Sequence, residues 1–362
     1  MKLTPPFFRP SIGRKSLAEA PMIVIWEVTR ACALACRHCR AEAMPCAVPG
    51  ELTHTESLDL IKQIARADPA VFVITGGDPM ERVDLLLLVR KASAAGLRVA
   101  LSPSATPRFL AADLDSFREA GVRRISLSLD GATPEAHDAF RGIRGTWDWT
   151  MLAAEKIRAA GIELQINTTF TRQNIADYER MVDAVIEVKP VLWSVFQLVP
   201  TGRATMDDLL TGEEMEELFH QLWETARLVP FDIKTTEGQH HRRVVAQRNA
   251  AAGIRAPLPP VGVNDGRGFV FVSHTGDVYP SGFLPFSAGN VRAGELLEIY
   301  RDSPIFQALR REDEFSGKCG YCEFRSLCGG SRARAHAMTG DYLGSEPLCT
   351  YQPKRQPALS HA

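Results

Sequence analysis

Residues 22–39 read MIVIWEVTRACALACRHC. The apolar, partly β-branched run at 22–28 predicts a buried strand, and three cysteines follow it closely. Working outward, similar runs recur at 71–75 (VFVIT), 97–101 (LRVAL), 122–129 (VRRISLSL), 162–168 (IELQINT) and 191–198 (VLWSVFQL). Between them, segments with 3.6-residue periodicity at 55–67, 81–95, 108–120, 147–160 and 174–187 predict helices. Strand and helix alternate through six units, which implies parallel strands joined by right-handed crossovers. Six units fall short of a full eight-unit barrel. The reading is therefore an α/β fold, a partial, open (β/α)6 TIM-like barrel whose ligands belong beyond the carboxyl ends of its strands.

The pattern changes after Pro200. A helix at 212–227, a strand near 231–235 and a basic helical stretch at 239–250 precede a linker-like segment, 251–267. The sequence GFVFVSHTGDVYP then predicts a hairpin turning at Thr275-Gly276-Asp277. This divides the chain into a lead-in (1–21), the barrel (22–204), connecting helices and linker (205–260) and a small α+β extension (261–362). Composition is that of an ordinary globular protein: 362 residues, 45% hydrophobic and 23% charged, which excludes disordered and fibrous classes. Forty-two basic against 43 acidic residues give a net charge of −1, so no global field attracts nucleic acid or an anionic membrane. No apolar run approaches the ~18 residues of a membrane span, and the first residues, MKLTPPFFRPSIGRK, lack a signal-peptide core. A soluble, cytoplasmic protein is expected.

The eight cysteines bunch at the two ends: Cys32, Cys36, Cys39 and Cys46, then Cys319, Cys322, Cys328 and Cys349. Clustered thiols in such a chain point to metal binding rather than disulfides. Cys32, Cys36 and Cys39 are spaced C-x3-C-x2-C on the loop after the first strand. Three thiolates can hold three irons of a [4Fe–4S] cluster and leave the fourth open. Zinc would need a fourth ligand such as His38, His54 or Cys46. Cys46 itself lies outside the motif and reads as a free thiol.

This motif resembles the defining signature of radical S-adenosylmethionine (SAM) enzymes, and the resemblance extends through the six β/α units. It implies that the open iron binds SAM, whose reductive cleavage gives methionine and a 5′-deoxyadenosyl radical that abstracts hydrogen from substrate. By the same resemblance His38 contacts adenine through its backbone. Gly76-Gly77-Asp78-Pro79 resembles the family's Gly-Gly-Glu-Pro, whose backbone holds the SAM amino group, with Asp78 one methylene shorter than the usual Glu. Ser128-Leu129-Asp130 resembles the ribose-contacting segment, and Arg141 an arginine that pairs with the SAM carboxylate. Leu198 matches a position that packs against adenine. An external electron donor such as flavodoxin or ferredoxin is implied.

Cys319, Cys322, Cys328 and Cys349 form the series C-x2-C-x5-C-x20-C, which suits either zinc or a fully ligated iron–sulfur cluster. With Tyr279-Pro280 upstream, the segment resembles the auxiliary-cluster extension called SPASM, or its shorter Twitch relative. Ser281 and Ser331 stand where two further SPASM cysteines would be. The resemblance therefore implies one auxiliary [4Fe–4S] cluster, two clusters in all.

The phrases WEVTRACALACRHCRAEA, SLDGATPEAHDAFRG and CGGSRARAHAMTGD resemble radical SAM enzymes that remodel tetrapyrrole side chains in heme d1 formation and siroheme-dependent heme formation. Related enzymes modify ribosomally made peptides, so the substrate is a small molecule or a peptide. A non-catalytic iron–sulfur or zinc protein is the reading from another class, and the SAM-contacting segments argue against it. His240, His241, Arg242 and Arg243 fall between barrel and extension. There they are candidates for substrate contact, since paired arginines suit carboxylates, although a solvated basic helix face reads equally well. Trp26 and Trp193 are expected in the core.

Overall fold

The computed structural model describes residues 16–255 and 261–354; residues 1–15 of the expected lead-in and 256–260 of the expected linker lie outside them. Six strands follow the sequence reading: β1 (Ile23–Glu27), β2 (Val71–Thr75), β3 (Val99–Leu101), β4 (Val122–Ser128), β5 (Glu163–Phe170) and β6 (Leu192–Gln197). They lie side by side in chain order and pair in parallel. The sheet continues beyond both ends of this set. β7 (Asp232–Thr236) adds in parallel to β6, and β8 (Phe269–Val272) adds in parallel to β1. β9 (Asp277–Tyr279) and β10 (Gly289–Asn290) then extend that edge with antiparallel pairing. The expected hairpin forms, and it prolongs the barrel sheet. The sheet stays open, ending at β10 and β7.

Alternation along the strands separates two faces. In β5, Leu164, Ile166, Thr168 and Phe170 are buried, while Gln165, Asn167 and Thr169 between them are only half-buried. The first set joins the core under the helices, where Trp193 packs against Phe170 and Tyr178 and donates from Nε1 to Thr168 Oγ1 at 2.9 Å. Trp26 stacks on Phe72 in the same layer. The second set faces the concave side, the barrel lumen, since side chains of one parity share a face.

Helix ends follow local capping chemistry. Thr53 and Glu56 form a reciprocal capping box at the start of His54–Ala67. The expected helix 108–120 is two short helices, Pro107–Ala111 and Leu114–Glu119, because Asp113 accepts from the backbone N–H groups of Asp115 and Ser116 and starts a new helix. An additional helix, Pro134–Arg141, is capped by Thr133, opens on Pro134 and ends at Gly142 with φ +74°. Residues 264–267 of the expected linker are buried, with Asn264 bonded to Gln239 and to the carbonyls of Cys328 and Gly330, and Arg267 paired with Glu312. Tertiary hydrogen bonds override a composition that reads as loop. Among the described residues no helix is long and apolar enough to cross a membrane.

Candidate active site and a second cysteine cavity

The loop after β1 is held from four sides. Cys32 N donates to Met44 O and Met44 N to Arg30 O, closing the loop on itself. Gly77 N donates to Thr29 O at 2.8 Å and Asp78 N to Ala31 O at 2.7 Å. A Cβ on Gly77 would sit 2.5 Å from the carbonyl oxygens of Arg30 and Ala31, so this approach requires glycine. Arg37 N donates to Phe140 O, and Arg203 N donates to Cys39 O at 3.1 Å. The loops after β1, β2 and β6, together with the helix Pro134–Arg141, thus fix one constellation at the carboxyl ends of the strands.

Cys32 and Cys36 are buried and Cys39 is half-buried, beside Leu34 and Ile143. Burial pushes the Cys32 and Cys36 thiols up. Backbone N–H groups of Leu34 and Ala43 donate to the sulfurs of Cys32 and Cys39. Arg141 pairs with Asp130 at 3.1 Å, and Thr169 N holds the other Asp130 oxygen at 2.8 Å. Burial alone would lower the Arg141 guanidinium, but Cys36, Asp130, Cys32 and Cys39 outweigh it and hold the group firmly charged. Arg203, which no motif marks, lies in the field of Cys36 and His38 and leaves Nε and Nη2 buried without a partner. Buried cations beside three thiols suit an anionic iron–sulfur group.

Asp78 shows what the shorter acid does. It is wholly buried and accepts from Met80 N (3.0 Å), Ser104 N (3.3 Å) and Thr106 Oγ1 (3.4 Å). Ser104 Oγ in turn lies 3.7 Å from Cys32 Sγ. The carboxyl therefore ties the loops after β2 and β3 together behind the cysteines, and burial pushes it up to about 6. Asp78→Ala strands these buried donors. It should lower the unfolding free energy by about 1–3 kcal/mol, whereas Asp78→Asn, which keeps the acceptor, should lose less. Denaturant titration of both variants measures this, and equal losses would contradict the assignment.

The four C-terminal cysteines line one small pocket, with His240, Arg243 and Tyr351 on its wall. Among the described residues no three His, Cys, Asp or Glu groups converge to hold a single metal ion; these four thiols ring a volume instead. Cys328 is pushed up to about 12 by burial. Gly330 N donates to Cys328 Sγ at 3.4 Å, and Glu346 N donates to Cys319 Sγ at 3.3 Å. Arg332 Nη2 lies 3.6 Å from Cys319 Sγ. Both ring nitrogens of His240 are buried without a partner.

Comparison with known proteins adds to this geometry. Residues 26–185 match the radical SAM superfamily. Over 350 residues the chain is 41% identical to the AdoMet-dependent heme synthase of Oleidesulfovibrio alaskensis, spanning 94% of this chain and 90% of that one. The chain is a radical SAM enzyme. It is also 30% identical over 358 residues to mycofactocin maturase MftC of Mycobacterium tuberculosis, with 94% and 86% covered. Among solved structures, Streptococcus suis SuiB bound to S-adenosylmethionine superposes with a TM-score of 0.71 at 17% identity, over 92% of this chain and 78% of that one; this likeness concerns the fold.

In this radical SAM enzyme the motif residues fall into separate groups. His38 lies among Arg141, Arg203 and His137, its ring 4.4 Å from Phe140, and burial, with the two guanidiniums, lowers it to about 3. Gly76 to Pro79, Asp130 and Arg141 border the same loop cluster. Leu129 points into the core under the helices. Leu198 packs with Ala204, Leu209, Met338 and Leu348, on the seam with the extension. Ser281 and Ser331 are buried in a carboxyl network: Ser331 Oγ donates to Glu237, and Ser281 bonds to Asp265. Asp265 also accepts from Arg332 N and Ala333 N.

Residues 240–243 sit at the start of the helix His241–Ala251. His240 and His241 pack against Phe219. Arg242 donates to the carbonyls of Val263 and Leu327, and Arg243 pairs with Glu216. Protein partners therefore engage both guanidiniums, and His240 and Arg243 belong to the wall of the four-cysteine cavity.

Proposed function

We propose that this radical SAM enzyme acts on a tetrapyrrole and remodels its side chains during formation of a heme-type cofactor. The observation that carries the reading is 41% identity to a heme synthase across nine-tenths of both chains. In radical SAM enzymes the reduced cluster with bound SAM supplies a 5′-deoxyadenosyl radical that removes hydrogen from substrate. Cys32, Cys36 and Cys39 are the residues that would hold the cluster. Arg141 and Arg203 offset its negative charge, and Asp78 fixes the Gly76-Gly77 backbone through Met80, Ser104 and Thr106. Gly76 to Pro79, Ser128, Asp130, Arg141 and His38, with Leu198, are our assignment for SAM. The electron donor would be a small protein of the flavodoxin or ferredoxin class. Eight free cysteines suit a reducing, cytoplasmic compartment.

A second [4Fe–4S] cluster is our reading of Cys319, Cys322, Cys328 and Cys349. Its support is the gathering of four thiols around one pocket, backbone N–H groups aimed at two sulfurs, and Arg243, Arg332 and Lys318 nearby. On this reading His240 and Arg243 shape that cavity. Reconstituted enzyme should then carry about eight irons, and replacing these four cysteines with alanine should halve the count. Stoichiometric zinc at this site, or about twelve irons, would overturn it.

Peptide maturation is the second reading, favoured by the 30% identity to MftC. Anaerobic titration separates the two. A tetrapyrrole carrying free carboxylates should bind with a shift in its absorption spectrum, and mass spectrometry should show side-chain loss on turnover. Absence of both would move the assignment to a peptide.

A further inference from the structure

β7 brings into the barrel a lysine that the cofactor sites described above do not use. Ser194 Oγ and Thr236 Oγ1 lie 3.2 Å apart, so these residues of β6 and β7 share a face. That face is the lumen, because Trp193 and Val195, on either side of Ser194, are buried in the core under the helices. Lys234, two residues before Thr236, has the same parity and pairs in register with Ser194. Ser194 pairs with Asn167, and Asn167 with Ser128. One lumen row therefore reads Ser128, Asn167, Ser194, Lys234 across four adjacent strands, about 14 Å wide. It lies one row beneath Asp130, the residue that holds Arg141.

The row lacks an anion. Among the described residues Lys234 Nζ has no hydrogen bond or ion pair, and the charged group that acts on it is another cation, Arg124, itself paired with Glu163 two rows deeper; Asp232, on the same face one row deeper, is itself engaged elsewhere. Burial and Arg124 together push the ammonium down to about 8. An unpaired charge in a partly desolvated barrel is unfavourable unless something with opposite charge arrives. Asn167 and the serine hydroxyls beside it are uncharged groups able to donate to the same visitor.

The geometry points to this row as the subsite that takes a carboxylate of the substrate, with Lys234 as its counter-ion. The inference rests on the tetrapyrrole reading above and adds to it the residue that orients the macrocycle beneath the SAM site. Lys234 is a positioning and specificity residue, since it holds a group remote from the cysteine loop.

Anaerobic equilibrium titration tests this with two probes: coproporphyrin III, whose carboxylates are free, and its tetramethyl ester, whose carboxylates are masked. Reconstituted wild type should bind the free acid at least tenfold more tightly than the ester, as a hydrogen bond to a charged group implies. Lys234→Met should remove that preference by weakening the free acid alone, and Lys234→Arg should keep most of it. Lys234→Met deletes a half-buried charge with no partner among the described residues, so it should unfold no earlier than wild type. Equal binding of acid and ester by wild type overturns the inference while the macrocycle reading stands, and it needs no variant. Unchanged preference in Lys234→Met overturns it as well. Wild type that binds neither probe overturns both readings together.

Discussion

Replacing Cys32, Cys36 and Cys39 together with alanine abolishes 5′-deoxyadenosine formation under dithionite, while the chain still folds. The expectation follows from how the loop is held. Its path depends on Gly77 against Arg30 and Ala31, on Met44, and on Arg203 against Cys39 O, all of them backbone contacts that survive truncation of the thiols. Arg141 and Arg203 both act on the Cys36 thiol, so loss of the thiols removes the proposed iron ligands while Arg141 keeps its partner Asp130. Circular dichroism should match wild type, iron should fall by about half, and nucleoside release should vanish. Undiminished 5′-deoxyadenosine from the triple variant would place the chemistry elsewhere.

Stability should fall steeply between pH 7 and pH 5. His137, His240 and His241 are buried, and burial lowers the first two to about 3 and the third to about 4. A histidine held neutral in the folded state stabilises fully above its unfolded value, near 6.5, and loses that contribution as pH drops below it. At pH 5 each loses about 2 kcal/mol, and His38, lowered alike, adds a similar loss. Asp78 works the other way, as do Glu237 and Asp265, whose carboxyls burial also raises. The folded value of Asp78, about 6, lies above the unfolded one, so acid returns about 1 kcal/mol. Glu346, held down to about 2 chiefly by Arg334 against the opposing effect of burial, contributes no loss until lower pH. Denaturant midpoints at the two pH values measure the sum. His137→Asn, whose amide oxygen can accept from Asp130 N as His137 Nδ1 does, should recover about 2 kcal/mol of the fall. A fall from pH 7 to pH 5 that His137→Asn leaves unchanged would show that this ring is not held neutral.

Much of this was legible because the informative signals are local. Apolar runs mark β1 to β6, the cysteine spacing marks both thiol clusters, and the strand-end motifs mark Gly76 to Pro79 and Asp130. What escaped depends on partners far away in sequence. The strand at 232–236 is visible, but its membership of the barrel sheet, and with it the direction of Lys234, is decided by pairing with β6. β8 finds β1 across more than two hundred residues, and no local pattern encodes that choice. Arg203 and Ser104 carry no motif at all; only the converging loops bring them to the cysteines. Residues 240–243 read as a basic patch because a sequence does not show that Glu216 and two backbone carbonyls claim the arginines. The helix Pro134–Arg141 carries a local signal, Thr133-Pro134 at its start and Gly142 at its end, but at eight residues it is too short for a 3.6-residue period to stand out.

The parallel pairing of β8 with β1 sets a limit on dissection. β1 carries the cysteine loop, and its five residues IVIWE are flanked by β2 on one side and β8 on the other. A protein shortened after residue 255 would keep the cysteine motif and the segments proposed to contact SAM, but β1 would become a bare sheet margin. Its row of unsatisfied N–H and C=O groups, edged by Ile23, Val24 and Ile25, is the kind of surface on which other chains nucleate and stick. Such a fragment should be recovered as aggregates, so the catalytic half of this molecule cannot be studied in isolation from the half that follows it.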